Sequence, residues 1–242
     1  MTHALAFFVF DPMYFVYLGP AILLALWAQY KVKSSYAYAG KFKARSGLSG
    51  AEAAQRILNA HGIVDVAIEP VRTYLGDHYD PKHRVLRLSP DVFSGRSLAS
   101  LGIAAHEVGH AIQHATSYAP LAIRGALVPM AMTGSQLSML FIIIGLVLSG
   151  MQIALGSSLA IVGIGMFGLV VLFQLVNLPV EFDASRRARQ ILLSNGMVTT
   201  DEDVVVGKVL NAAAMTYVAA TLTALMELLY WASVVFANRD RH

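Results

Sequence analysis

The sequence GALVPMAMTGSQLSMLFIIIGLVLSGMQIALGSSLAIVGIGMFGLVVLFQLVNLPV, residues 125–180, decides the fold. Its 56 consecutive residues include no Asp, Glu, Lys, Arg or His. A single helix of that length would extend about 84 Å, whereas the hydrocarbon core of a bilayer is roughly 30 Å thick. The run must therefore fold back on itself. Ser149-Gly150 and Gly156-Ser157-Ser158 are the natural turn, which predicts spans near Val128–Leu148 and Leu159–Val176.

Two further apolar segments have the length of a membrane span. Pro12–Tyr30 carries no charged residue, and the segment from Val209 to about Ala237 carries only Glu227. Buried helices of a soluble core are the alternative, but soluble cores rarely supply apolar runs this long. The sequence therefore predicts a mainly α-helical integral membrane protein with four spanning helices.

The composition agrees with that fold class. Charged residues make up 14% of the chain and hydrophobic residues 56%, with a mean hydropathy of +0.58. An average soluble domain has roughly 25% charged residues, and a disordered chain has low hydrophobicity. The absence of cysteine excludes disulfide scaffolds, zinc ribbons, iron–sulfur sites and cysteine nucleophiles.

The distribution of Lys and Arg predicts the orientation of the chain in the membrane. With the N-terminus outside, residues 31–124 and 179–208 lie in the cytoplasm and contain 16 of the 18 basic residues. Arg239 and Arg241 are the exceptions. The first span has no preceding positive charge, so we interpret it as a retained anchor and not as a signal peptide. Basic residues crowd behind spans one and three: Lys31, Lys33, Lys41, Lys43, Arg45, Arg186, Arg187, Arg189 and Lys208.

The predicted organisation is span 12–30, a small cytoplasmic α+β domain 31–123, a hairpin of spans two and three 124–178, a cytoplasmic helix 179–208 and span 209–237. Local signals within these segments predict helices and strands. One predicted helix runs from the capping box Ser49-Gly50-Ala51-Glu52 to His61-Gly62, and a second runs from Ser97 through Ala115. A third runs from Asn177 and Pro179 to Asn195-Gly196, and Thr200–Asp203 cap the start of the fourth span. Predicted strands are Ile63–Val66, Val71–Leu75 and Val85–Leu88, with Asp77–Pro81 as the turn between the last two.

One motif carries chemistry: His106-Glu107-Val108-Gly109-His110. Residues four apart lie on one face of a helix, so both imidazoles can bind one zinc ion. Glu107 lies beside them, where a carboxylate can take a proton from water. Two helix histidines without a metal are the structural alternative.

Zinc needs a third protein ligand and an open position for water. His114 lies about 11–12 Å beyond His106 along the helix axis, too far to share one metal with it. His78 and His83 flank a turn, where exposure to solvent is favoured over substrate contact. Glu181 returns to the cytoplasmic side after the apolar hairpin, but topology alone leaves a metal ligand and a solvated helix-start glutamate equally supported.

Three segments together resemble a known family: HEVGHAIQHA at 106–115, DHYDP at 77–81 and LPVEFDASRRA at 178–188. Nearly the whole chain resembles the neutral zinc metallopeptidases of bacterial membranes, which are similar to gluzincin peptidases. The resemblance implies one zinc per chain, ligands His106, His110 and Glu181, and Glu107 as general base.

The sequence also departs from the gluzincin pattern. Those enzymes usually have an aspartate four residues after the ligand glutamate, where this chain has Ser185, with Asp183 two residues earlier. Either residue is a candidate to orient a metal-bound histidine. Candidates for stabilising the oxyanion are Tyr217, His78 and Tyr79.

We interpret the chain as a membrane zinc endopeptidase acting at the cytoplasmic surface on protein or peptide substrates, among them membrane proteins. Its expected partners are these substrates and the lipid bilayer, without nucleic acid. The strand Val85–Leu88 could bind an extended substrate by strand addition. Two alternatives remain open: a zinc-binding membrane scaffold, and an ion transporter, which Glu227 within a span would favour.

Overall fold

The structure is a computed structural model, and it describes residues 11–73 and 76–239. It is mainly helical, with one small three-stranded sheet. The helices in chain order are α1 (Pro12–Ala39), α2 (Gly50–Ala60), α3 (Pro90–Phe93), α4 (Leu98–Ala115), α5 (Ala119–Gly150), α6 (Leu155–Ser194) and α7 (Thr200–Arg239). The strands are β1 (Ala67–Pro70), β2 (His78–Asp80) and β3 (Val85–Leu88).

Within the described residues, four helices are long and apolar enough to cross a membrane: α1, α5, α6 and α7. The fold-back of the apolar run is confirmed, because α5 and α6 are joined by residues 151–154 and pack on each other. A Cβ at Gly145 would lie 2.4 Å from the backbone nitrogen of Ala160, so only glycine permits this approach. The turn is narrower than predicted, since Gly156-Ser157-Ser158 already belong to α6.

The prediction of a separate helix starting at Asn177 and Pro179 is wrong. Helix α6 continues through both residues to Ser194, with Pro179 in its interior. A proline inside a helix removes one backbone hydrogen bond, and here the helix continues in spite of that loss. The predicted end near Asn195-Gly196 is confirmed, with Gly196 at a φ of +62°.

The N-cap of helix α7 lies one residue earlier than predicted. The hydroxyl of Thr199 accepts the backbone N–H of Glu202, whose carboxylate accepts the N–H of Thr199. This reciprocal capping box makes Thr199 the N-cap, in place of Thr200. Of the two basic residues predicted to lie outside, Arg241 is beyond the described residues.

The chain divides into two compact units. The first comprises residues 11–27, 123–177 and 217–239, and is called here the all-helical unit. The second comprises residues 28–73, 76–122 and 178–216, and is called here the mixed unit because it contains the sheet. Each has its own buried apolar cluster, centred in the mixed unit on Ile57, Leu86, Leu88, Leu101 and Leu192.

Two of the three predicted strands need correction. The predicted strand Ile63–Val66 is wrong, because the strand starts at Ala67. Of Val71–Leu75, residues 71–73 lie outside any strand, and Tyr74 and Leu75 are not among the described residues. The predicted turn contains β2 instead. Because β2 is a short polar edge strand, hydrophobic periodicity does not reveal it.

The strand Val85–Leu88 is confirmed as β3, but strand addition to it is excluded. It is the central strand, paired in parallel with β1 and antiparallel with β2. Both of its edges are therefore already hydrogen-bonded. The free edges of the sheet belong to β1 and β2.

The predicted starts of α2 and α4 are confirmed. Ser49 and Glu52 form the capping box of α2, and the hydroxyl of Ser97 accepts the backbone N–H of Ser100 at the start of α4. Helix α4 then runs through Ala115, as predicted, and carries the HEVGH motif in its middle.

Candidate metal centre

The two motif histidines and Glu181 converge on one point. The Nε2 atoms of His106 and His110 lie 3.3 and 3.6 Å from the same carboxylate oxygen of Glu181. Ligand atoms of the three residues all lie within 4.8 Å of one another. Glu181 is 2% exposed and comes from α6, whereas both histidines come from α4.

Gly109 allows α6 to approach α4 at this point. A Cβ at position 109 would lie 2.8 Å from the backbone oxygen of Ala184. Any side chain there would push α6, and Glu181 with it, away from the histidines. The close packing of α4 and α6 therefore requires glycine at position 109, which the motif alone does not reveal.

His106 is oriented by Ser185. The Ser185 hydroxyl lies 3.1 Å from Nδ1 of His106. When Nδ1 donates its proton to this hydroxyl, the lone pair is on Nε2, which faces Glu181. Ser185, four residues after Glu181, thus contacts His106 directly.

His110 is oriented by Gln113, a residue that the sequence analysis missed. Oε1 of Gln113 lies 3.0 Å from Nδ1 of His110, and its Nε2 donates to the carbonyl of Val180 at 2.8 Å and to Asp183 at 3.0 Å. Gln113 is fully buried. Its spacing of three residues after His110, on the same helix face, was the available signal.

Asp183 anchors this second arrangement. Besides the Gln113 amide, its carboxylate accepts hydrogen bonds from the guanidinium groups of Arg186 and Arg187. Arg187 also lies over the ring of Tyr118, 5.6 Å from the centroid. Both sequence candidates therefore contact the site: Ser185 reaches His106 directly, and Asp183 reaches His110 through Gln113.

Glu107 is buried and held by the edge strand. One of its carboxylate oxygens accepts the backbone N–H of Tyr79 in β2 at 3.1 Å. The Tyr79 hydroxyl lies 2.8 Å from Nδ1 of His114, two helical turns beyond His106. Burial raises the pKa of Tyr79, and the negative charge of Asp80 raises it further. The phenol therefore remains a hydrogen-bond donor at neutral pH.

The other candidate residues lie outside the three-residue cluster. His78 Nδ1 is 2.7 Å from the carbonyl of Gly76, and His83 Nδ1 is 2.7 Å from Asp80. The contact with His83, followed by that with Arg87, lowers the pKa of Asp80. Tyr217 belongs to the all-helical unit.

The donor set fits zinc. Two imidazole nitrogens and one carboxylate oxygen are three of the four ligands that catalytic zinc sites use. The carboxylates of Glu107 and Glu181 are buried here, and buried negative charge requires compensation. Although burial acts in the opposite direction, the hydrogen bond to Glu181 and the charge of Glu107 raise the pKa of His110. The cluster therefore attracts positive charge.

Comparisons with known proteins agree with the resemblance found in the sequence. Residues 14–236 match the model of a family described as "Putative neutral zinc metallopeptidase". The chain is also 46% identical over 233 residues to the "Putative membrane protease YugP" of Bacillus subtilis (strain 168), an alignment covering 95% of this chain and 100% of that protein. No solved structure matches the chain.

Proposed function

Because the chain belongs to this zinc metallopeptidase family, we propose that it is a zinc-dependent endopeptidase embedded in the bacterial cytoplasmic membrane, with its active site facing the cytoplasm. One observation carries the proposal. Two imidazoles and a carboxylate lie within 4.8 Å of one another, and Glu107 directly follows the first of these residues.

In this proposal His106, His110 and Glu181 hold one zinc ion per chain. When bound, zinc would activate water and polarise the carbonyl of a peptide bond. Ser185 and Gln113 keep the Nδ1 atoms of the two histidines protonated, so that both Nε2 atoms remain available as ligands.

Glu107 is the proposed general base. It accepts a proton from the attacking water and later delivers it to the leaving amine. The backbone N–H of Tyr79 holds one carboxylate oxygen of Glu107, which leaves the other free for this transfer. The proton therefore moves at a carboxylate whose position is set by the backbone of β2.

The free edge of β2 is the proposed substrate contact, in place of the central strand. The N–H of Tyr79 points away from β3, since it donates to Glu107. In an antiparallel strand the carbonyl of a residue points the same way as its N–H. We therefore propose that the carbonyl of Tyr79 accepts an N–H of an extended substrate beside the general base.

Membrane location is supported by the four long apolar helices and by the similarity to the Bacillus subtilis relative, whose name describes a membrane protease. The orientation rests on the distribution of Lys and Arg along the chain. Glu181 follows directly behind the uncharged run, so the substrates that we propose are membrane proteins and their cytoplasmic loops.

Zinc content and proteolysis, measured on the same purified protein, test the chemistry. We expect stoichiometric zinc, hydrolysis of casein-type substrates and loss of hydrolysis with a chelator. Zinc binding without hydrolysis would favour a scaffold, and metal uptake into liposomes without hydrolysis would favour a transporter. Either result would overturn the peptidase proposal.

The orientation has a separate test, because the chain has no native cysteine. Ser158 is exposed near the turn between α5 and α6, and Ser46 is exposed in the mixed unit, so Ser158→Cys and Ser46→Cys are suitable probes. A membrane-impermeant thiol reagent on intact cells should label the first and spare the second. The reverse pattern would place the active site outside.

A further inference from the structure

A surface of exposed lysines and aromatic rings lies where α1 ends. We call it the basic–aromatic patch and define it by Tyr38, Lys41, Phe42, Lys43 and Lys208, all of them exposed. The rings of Tyr38 and Phe42 are 4.9 Å apart between centroids, and the Lys208 ammonium lies 5.8 Å from the Tyr38 centroid. Tyr38 is 47% and Phe42 41% exposed, so an apolar area faces outward between positive charges.

The backbone beneath the patch is fixed. The carbonyl of Phe42 accepts the N–H of Leu98, and the N–H of Ala44 donates to the carbonyl of Arg96, both at 2.9 Å. Lys43 forms an isolated β-bridge with Ser97. The patch is therefore held against the first turn of α4, and a ligand would lose little loop entropy on binding.

The lysines of the patch carry unpaired positive charge in the part of the chain that the structure describes. Among residues 11–73 and 76–239, none of Lys41, Lys43 and Lys208 forms a salt bridge. The nearby Glu202 accepts backbone N–H groups of Arg45 and Thr199. The patch therefore has an excess of positive charge beside two exposed rings.

We propose that the basic–aromatic patch binds the headgroups of anionic phospholipids. The inference rests on the membrane location proposed above. Lysines attract anionic headgroups, and aromatic rings prefer the membrane–water interface. Lys31 and Lys33, also exposed on α1, extend the charge along the same helix. An acidic protein partner would need the charges but would not explain an exposed pair of rings.

Native mass spectrometry of the full-length protein in detergent tests this directly. The protein is titrated with phosphatidylglycerol or with phosphatidylcholine of identical acyl chains. One lysine–headgroup contact corresponds to about a fivefold preference, so we expect phosphatidylglycerol to bind at least about fivefold more tightly. Equal binding of the two lipids would overturn the proposal.

Matched variants locate the preference. Lys43→Gln with Lys208→Gln should make the affinities for phosphatidylglycerol and phosphatidylcholine similar. The control, Arg56→Gln with Lys82→Gln, removes the same charge at exposed positions elsewhere and should leave the preference for phosphatidylglycerol unchanged. A preference that survives the patch variant, or falls equally in the control, overturns the proposal. Unchanged circular dichroism and zinc content show that each variant has folded.

Two further measurements distinguish a membrane lipid from a soluble phosphate as the ligand, and distinguish this inference from the peptidase proposal. Tyr38→Ala with Phe42→Ala should weaken the binding of both lipids to the same extent. If the same variant weakened the binding of soluble glycerol phosphate as much as that of lipid, the result would contradict a membrane lipid as the ligand. Proteolysis is assayed on the same samples. Hydrolysis without lipid preference overturns only this inference, and lipid preference without hydrolysis overturns only the peptidase proposal.

Discussion

The two halves of helix α6 contrast in what their side chains do. Residues 155–177 carry no charge and pack through small residues, with Gly163 against Ile142. Residues 178–194 carry Glu181, Asp183 and Ser185, all buried and all directed at the histidines of α4 or their partners. One continuous helix therefore serves apolar packing in one half and polar chemistry in the other. The contrast predicts that substitutions in the two halves affect different properties.

The largest expected effect comes from Glu181→Ala. Removal of the carboxylate leaves two imidazoles, too few protein ligands for a catalytic zinc site. We expect zinc to be lost on dialysis, measured by inductively coupled plasma mass spectrometry. Glu69→Ala, at an exposed position, is the control that should retain zinc. Unchanged affinity in the Glu181 variant would show that another group is the third ligand.

Glu107→Gln should abolish hydrolysis while the protein keeps its zinc and its fold. The amide cannot accept the proton of the attacking water, and loss of a general base costs at least about 10²-fold in rate. The measurement is kcat on a peptide substrate together with zinc content. Activity within a few-fold of the wild type would remove Glu107 from the mechanism.

Gln113→Ala should weaken zinc binding by about 10–100-fold, as expected for a residue that orients a metal-bound histidine. The substitution also leaves the buried Asp183 with one hydrogen bond fewer. Ser185→Ala removes a single contact and should have a smaller effect. Competition with a chromophoric chelator measures both affinities. Equal affinities for wild type and Gln113→Ala would show that His110 needs no such partner.

Substitutions in the apolar half of α6 should change the stability of the protein and not its zinc affinity. A Cβ at Gly163 would lie 2.8 Å from atoms of Ile142 and Ser138, and overpacking of this kind costs about 1–3 kcal/mol. Gly163→Ala should therefore lower the Tm in detergent. Gly165→Ala, with no neighbour within 4 Å, is the matched control. A loss of zinc affinity equal to that of Gln113→Ala would break the contrast between the halves.

Much of the fold follows from local signals in the sequence. The long apolar runs indicate the four long helices, and the spacing of His106 and His110 indicates a shared helix face. The capping box of Ser49 and Glu52 marks the start of α2. These features depend on residues within a few positions of one another, so their hydrogen bonds and periodicity can be recognised without knowledge of the tertiary structure.

The tertiary structure decided what depends on distant partners. It made β3 the central strand and β2 a polar edge, and it carried α6 through Pro179. It also brought Ser185 to His106 and Asp183 to Gln113. The sequence alone determined which residue types were available. Hydrogen bonds between residues about 70 or more positions apart, such as Ser185 with His106, depend on how closely two helices pack, and the Gly109–Ala184 approach appears only after folding.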